Sequence, residues 1–308
     1  MIHPAGRIEK PNHGPLQTAR EGQENAGRLQ SDVRAEGSGR YGRPVLPDSL
    51  SVSRRGPVTL LRLSRPAKRN ALDEATINGI ESFFSDPPRE TRAIIVYGEG
   101  KHFSAGADLS ASVEDHALAR VRYSRAWHRA FDWIENGGLP VIAALHGAVI
   151  GGGLELAASA HIRVAERSAY YALPESARGI FVGGGGAVRI PRLIGTSRMI
   201  DMMLTGRTYS AAEGASLGFS QYVVDDGEGL TKAIELAERI ATNTTLSNFA
   251  IVQALPRIAR SGPDGGFLTE SLMASITLDD GEAKARINAF LEKRGPKTGP
   301  LSAEGQPC

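Results

Sequence analysis

The sequence predicts an α/β fold, and three observations carry that prediction. Apolar runs of four to six residues, at 58–63, 93–97, 141–145 and 162–165, have the length and β-branched content of buried strands. Segments between and after them place apolar residues at helical spacing. The glycine-rich stretch 140–186 joins two of these strands through a turn that feeds a helix. Alternation of strand and helix, taken alone, suggests a doubly wound sheet.

In chain order, residues 1–46 are rich in Gly, Pro, Gln, Arg and Glu, with hardly any aromatic or β-branched side chain. Such a segment buries too little apolar area to offset its ordering entropy, so it reads as a disordered extension. It has no apolar stretch of the secretory kind, and Glu9, Glu21, Glu24, Asp32 and Glu36 argue against a mitochondrial leader. The ordered core is expected over 47–245, a helical region over 246–294 and a polar, flexible tail over 295–308. The strand at 58–63 opens the core. At 73–84, Ile77, Ile80 and Phe84 share a helical face, Asp73 is placed to cap it, and Pro87-Pro88 ends it. The strand at 93–97 closes on Gly98 and Gly100. Over 113–135 a helix aligns Tyr123, Trp127, Phe131 and Ile134, which reads first as core packing, with His116 and His128 exposed. Helices are expected at 209–218, 230–242, 246–260 (interrupted at Pro256), 267–278 and 282–293.

The central stretch holds the chemistry. Strand 141–145 is bounded by Pro140 and Gly147; Gly151, Gly152 and Gly153 then lead into Leu154-Glu155-Leu156-Ala157-Ala158. A glycine turn at a helix N-terminus exposes backbone N–H groups without intrahelical partners, at the positive end of the helix dipole. It suits an oxyanion or a phosphate. Glu155 lies in that first turn, and Glu175 follows 20 positions later in a Leu-Pro-Glu turn. A nucleotide-binding P-loop lacks its Lys-Ser or Lys-Thr, and GxGxxG fits 183–186 only loosely. The alternative is acyl activation, in which backbone donors polarise a carbonyl and two acids move protons and position water. By itself a Glu in a first helical turn also serves simply to stabilise the dipole, by about 0.3–1 kcal/mol.

These residues resemble the enoyl-CoA hydratase/isomerase family, the crotonase superfamily. The resemblance rests on HGAVIGGGLELA followed by LPE at this spacing. It is supported by Arg65-Pro66-Ala67-Lys68-Arg69-Asn70-Ala71-Leu72, by Phe103-Ser104-Ala105-Gly106-Ala107-Asp108-Leu109, by Leu204-Thr205-Gly206 and by the 211–218 segment. It runs from about Val58 to Arg294. It implies a different α/β architecture from the doubly wound sheet: the crotonase fold, a right-handed spiral of ββα turns with a helical C-terminal region. It implies an oxyanion hole from the N–H groups of Ala107 and Gly152, and catalytic roles for Glu155 and Glu175. Gly183 would help position the water. The coenzyme A thioester would be bordered by Lys68, Arg69, Ala105, Ala107, Asp108 and Leu109; the basic side chains among these also read as a solvated charge cluster. Trp127 would lie near the acyl pocket and could set chain-length preference. Val182 stands where the family usually has proline, and Arg178 where many hydratases have an apolar residue.

The expected activity is syn addition of water across a 2-enoyl-CoA double bond. Other reactions of the superfamily on such thioesters are the runner-up: isomerisation, racemisation, or aryl-CoA hydration with cleavage. A fold-retaining binding protein, RNA-associated as some relatives are, would predict a basic stripe, whereas the 308 residues carry a formal net charge of only +2. No cofactor is expected beyond the coenzyme A of the substrate. No metal is expected either, since seven scattered histidines show no ligand spacing. The resemblance implies a homotrimer or a hexamer built as a dimer of trimers. A single cysteine, Cys308, excludes an intrachain disulfide. With no apolar run near 20 residues, it points to a soluble, cytoplasmic protein.

Overall fold

The computed structural model describes residues 46–110 and 116–294. The expected N-terminal extension up to residue 45, the expected tail 295–308 and the first residues of the helix expected from 113 lie outside the described residues.

Among the described residues, nine strands form two sheets. The larger has six: β1 (Leu50–Arg55), β2 (Val58–Leu63), β3 (Ala93–Gly98), β4 (Val141–Leu145), β6 (Ile162–Glu166) and β9 (Tyr222–Val224), adjacent in that order. β1 and β2 pair antiparallel, and every later neighbour is parallel. The smaller sheet holds β5 (Ala148–Ile150), β7 (Tyr170–Ala172) and β8 (Tyr209–Ser210). Strands enter the large sheet in chain order, each beside the last. A doubly wound sheet reverses direction at a switch point, and this one does not. After β4 and β6 the chain turns at once into β5 and β7, which pair parallel. Two strand stacks therefore advance together, and the architecture is the spiral of ββα turns. The expectation drawn from alternation alone is corrected here, because periodicity registers a strand without showing the turn into a second stack.

The parallel strands are apolar on both faces, as their burial demands. Leu61, Leu63, Ile94, Val96, Ala143 and Leu145 face a core shared with helices α1 (Glu74–Ser85), α2 (Ala117–Asn136) and α3 (Gly152–Ser159). Alternate residues Leu60, Ile95, Ile142, Ala144 and Val164 face Ala233, Ile234 and Ala237 of α7 (Gly229–Ala241). Asp73 caps α1 as expected, its Oδ1 accepting from Thr76 N at 2.9 Å. Between α3 and α7 lie α4 (Gly186–Ile194), α5 (Thr196–Thr205) and α6 (Ala211–Leu217). After α7 come α8 (Thr245–Ile258), α9 (Pro263–Asp279) and α10 (Gly281–Leu291).

Several elements differ from the sequence reading. β1 went unread, because only Leu50 of its six residues is fully buried. β5, β7, β8 and β9 have two or three residues each, too few to show a period. α4 and α5 occupy a region read only as a glycine run and a short motif. α2 starts at 117, since His116 is extended (φ −114°, ψ 128°) and caps the helix from outside. α8 runs through Pro256 rather than breaking there; with two residues left in the helix, the proline costs little beyond one backbone hydrogen bond. Among the described residues, no helix is long and apolar enough to cross a membrane.

Candidate active site

The site forms where three connections of the spiral converge. β5 ends at Ile150, and Gly151 (φ 52°, ψ −123°) turns the chain into α3. A side chain there would be strained in backbone and would also collide: a Cβ on Gly151 would lie 2.6 Å from Glu175 Oε1. A Cβ on Gly152 would lie 2.7 Å from Trp127 Cζ3 and 3.3 Å from Ala107 N. The start of α3, the loop 103–110, the Glu175 turn and the indole of Trp127 thus meet at one point.

The loop is strapped to the 65–72 segment by a short parallel bridge. Leu72 N donates to Gly106 O (2.8 Å), Asp108 N to Leu72 O (2.9 Å) and Ala105 N to Arg69 O (2.9 Å). Ala107 lies between two of these bonds, so its N–H faces the other way, toward Gly152. Among the described residues, neither the Ala107 nor the Gly152 N–H meets an acceptor. Two adjacent backbone donors, one of them at a helix N-terminus, stand ready for a negatively charged oxygen.

Glu155 is buried at 3% exposure in the first turn of α3. Its Oε1 accepts from the N–H groups of Gly184 (2.8 Å) and Gly186 (2.7 Å). Burial pushes its carboxyl above the ordinary range, opposed by these N–H groups and by Arg189. Glu175 is also buried and precedes a single 3₁₀ turn, Ser176–Arg178. Its Oε2 is enclosed without a partner among the described residues. Burial raises the Glu175 carboxyl to about 7, and the charge of Glu155 adds to that rise. An unpaired buried carboxyl oxygen is costly, and a carboxyl poised near neutrality suits proton transfer.

The remaining expected site residues are placed as follows. Gly183 begins the turn that cradles Glu155, and its carbonyl accepts from Ser124 Oγ of α2 at 2.6 Å. Lys68 and Arg69 are exposed, Ala105 and Ala107 partly so, and Leu109 is half exposed. Asp108 is buried, and its carboxylate receives Arg65 Nη2 at 2.8 Å and Ser110 Oγ at 2.5 Å. These bonds hold it well below the usual carboxylate range, at about 2. Its side chain braces the loop against the 65–72 segment, with Arg65 also pairing Asp73 at 3.1 Å. Asp108→Ala is expected to cost about 1.5–3 kcal/mol by removing hydrogen bonds to charged groups; urea denaturation followed by circular dichroism checks it.

Sequence reasoning missed the supports. Gly184 and Gly186 act through their N–H groups, and only their place before a helix hinted at it. His128 is half-buried rather than exposed, with Nε2 at 3.5 Å from Ser124 Oγ. Trp127 belongs to the core, as its helical spacing suggests, and its ring also lies against the glycine turn.

The family model for enoyl-CoA hydratase/isomerase matches residues 53–299. The chain belongs to that family. It is 33% identical to the enoyl-CoA hydratase EchA19 of Mycobacterium tuberculosis, over 81% of this chain and 96% of the relative. It is 32% identical to the 2,3-dehydroadipyl-CoA hydratase of Escherichia coli, over 80% of this chain and 97% of the relative. Among solved structures, one from Rhodopseudomonas palustris is 56% identical with a TM-score of 0.78, covering 80% of this chain and 95% of that one. The enoyl-CoA hydratase of Bacillus anthracis superposes with a TM-score of 0.76 at 30% identity, covering 81% of this chain and 98% of that one.

Proposed function

We propose that the protein is a 2-enoyl-CoA hydratase that uses Glu155 and Glu175 as its acid–base pair. The observation that supports this most is the pairing of two buried carboxyls, Oε2 of one without a partner among the described residues, beside two backbone N–H groups that meet no acceptor there. The Ala107 and Gly152 N–H groups hold the thioester oxygen and stabilise the enolate that forms when the β-carbon is attacked. Glu155 keeps Oε1 on the Gly184 and Gly186 N–H groups, which leaves Oε2 to take a proton from water. The water oxygen bonds to the β-carbon, and Glu175 delivers its proton to the α-carbon on the same face. Proton exchange with solvent returns the pair to its starting state. Gly183 helps to place the water. Lys68, Arg69, Ala105, Asp108 and Leu109 border the coenzyme A portion, with Asp108 acting through its hold on the loop.

No cofactor is assigned beyond the coenzyme A of the substrate. We assign a homotrimeric or hexameric assembly, supported by the apolar side chains that α9 and α10 leave exposed, among them Phe267, Leu268, Phe290 and Leu291. We assign a cytoplasmic location, with which the single cysteine, Cys308, accords, since it suits a reducing compartment. The test is loss of the enoyl-thioester absorbance with crotonyl-CoA, and then with longer and aromatic enoyl-CoAs. Hydration of at least one is expected; binding of all without hydration of any would overturn the reaction while leaving the family untouched.

A further inference from the structure

Behind the turn that cradles Glu155, α2, α4 and the segment just after α8 line an open-sided cavity of about 490 Å³. Its charge is unbalanced. Among the described residues, Arg125, Arg129, Arg189, Arg192 and Arg260 line it against two carboxylates, those of Asp132 and Glu135. Three of the guanidiniums converge on Glu135: Arg189 Nε at 2.7 Å, Arg260 in direct contact and Arg192 at 4.0 Å. Arg129 is drawn outward to Glu81 at 3.0 Å. Asp132 accepts from Asn136 at 2.7 Å. Arg125 makes no ion pair among the described residues. A network needed only for stability would match its charges. Five guanidiniums thus face three carboxylates once Glu81 is counted, and the net positive charge left around open space favours the entry of an anion.

The cavity also touches the catalytic turn from behind. Arg189 Nη1 donates to Gly184 O at 3.4 Å, and the N–H of that same glycine holds Glu155. His128, in the cavity wall, sits against Ser124, whose hydroxyl holds Gly183 O.

We propose that this cavity is a binding site for an oxyanion group, a carboxylate or phosphate, held by Arg125, Arg189 and Arg192. Planar guanidiniums suit such a group because each offers paired donors. Two sources fit the chemistry: a free small anion, or an acidic group at the far end of the acyl chain. The second source rests on the acyl-CoA reading above, and the first does not.

Calorimetric titration of inorganic phosphate into the full-length protein, at constant ionic strength set with chloride, tests the site. Saturable binding is expected, weakened by roughly tenfold or more in Arg125→Gln/Arg192→Gln, as loss of hydrogen bonds to a charged group implies. The exposed Arg125→Gln alone, which leaves every Glu135 pair intact, guards against misfolding of the double variant. Saturated acyl-CoAs of equal length, with and without a terminal carboxylate, separate the sources without requiring turnover. Preference for the carboxylated chain that disappears in the variants assigns the site to the substrate. Equal binding of the two chains, together with saturable phosphate binding, assigns it to a free anion. Absence of both saturable phosphate binding and carboxylate preference overturns the proposal.

Discussion

Replacing Glu175 by glutamine is expected to lower kcat for crotonyl-CoA hydration by roughly 10²–10⁴-fold, the range for loss of a positioned general acid. The substitution is close to isosteric, and it replaces a buried oxygen that has no partner to lose, so folding should survive. The pH dependence follows from the same group. In the proposed mechanism hydration needs Glu175 protonated, and burial raises its carboxyl to about 7. Hydration should therefore fall as pH rises through about 7. Dehydration of the 3-hydroxyacyl-CoA uses the same singly protonated pair with the proton on Glu155, so its kcat/KM should fall over the same interval. Glu155 must be ionised for hydration, and burial raises its carboxyl as well, so the acidic limb of the hydration profile should lie above the ordinary carboxylate range. Both limbs belong to the coupled pair rather than to one residue each. Profiles in the two directions check this. A flat hydration rate between about pH 6 and about pH 9, or an active Glu175→Gln enzyme, would sink the assignment.

The second large effect is expected at Gly152. An alanine Cβ would lie 2.7 Å from the Trp127 ring and 3.3 Å from Ala107 N. Either the indole or the start of α3 must shift, and both frame the two backbone donors. Loss of one oxyanion donor corresponds to about 2.7–4 kcal/mol, or roughly 10²–10³ in kcat. Single-turnover kinetics of Gly152→Ala on crotonyl-CoA would read that loss directly. The companion Gly152→Ala/Trp127→Leu should recover part of the rate if the ring is the obstacle. An unchanged rate in Gly152→Ala would remove this N–H from the mechanism.

How much of this was legible in the sequence depends on how local each feature is. Strands β2, β3, β4 and β6 and the capped helix α1 were readable because their patterns are complete within the segment. The glycine turn and Glu155 were readable because a helix N-terminus carries its chemistry in consecutive residues. Glu175 was located by its motif, but the raised pKa on which its proposed role as an acid rests arises from burial and from the neighbouring Glu155, which no spacing reveals. The supports were invisible for the same reason. Ser124 reaches Gly183 from 59 positions away, and Arg65 reaches Asp108 across 43. The spiral itself was hidden from periodicity, because strands of two or three residues decide it.

The orderly growth of the large sheet leaves it with two open margins, and each is defended against adhesion to other chains. On one side β1 ends in Arg54 and Arg55, tied to Glu90 and Glu238; charged side chains there discourage an extra strand from docking. On the other, β9 offers only three residues, Tyr222–Val224, a template too short to recruit a partner. Continuous sheet polymers are thereby disfavoured.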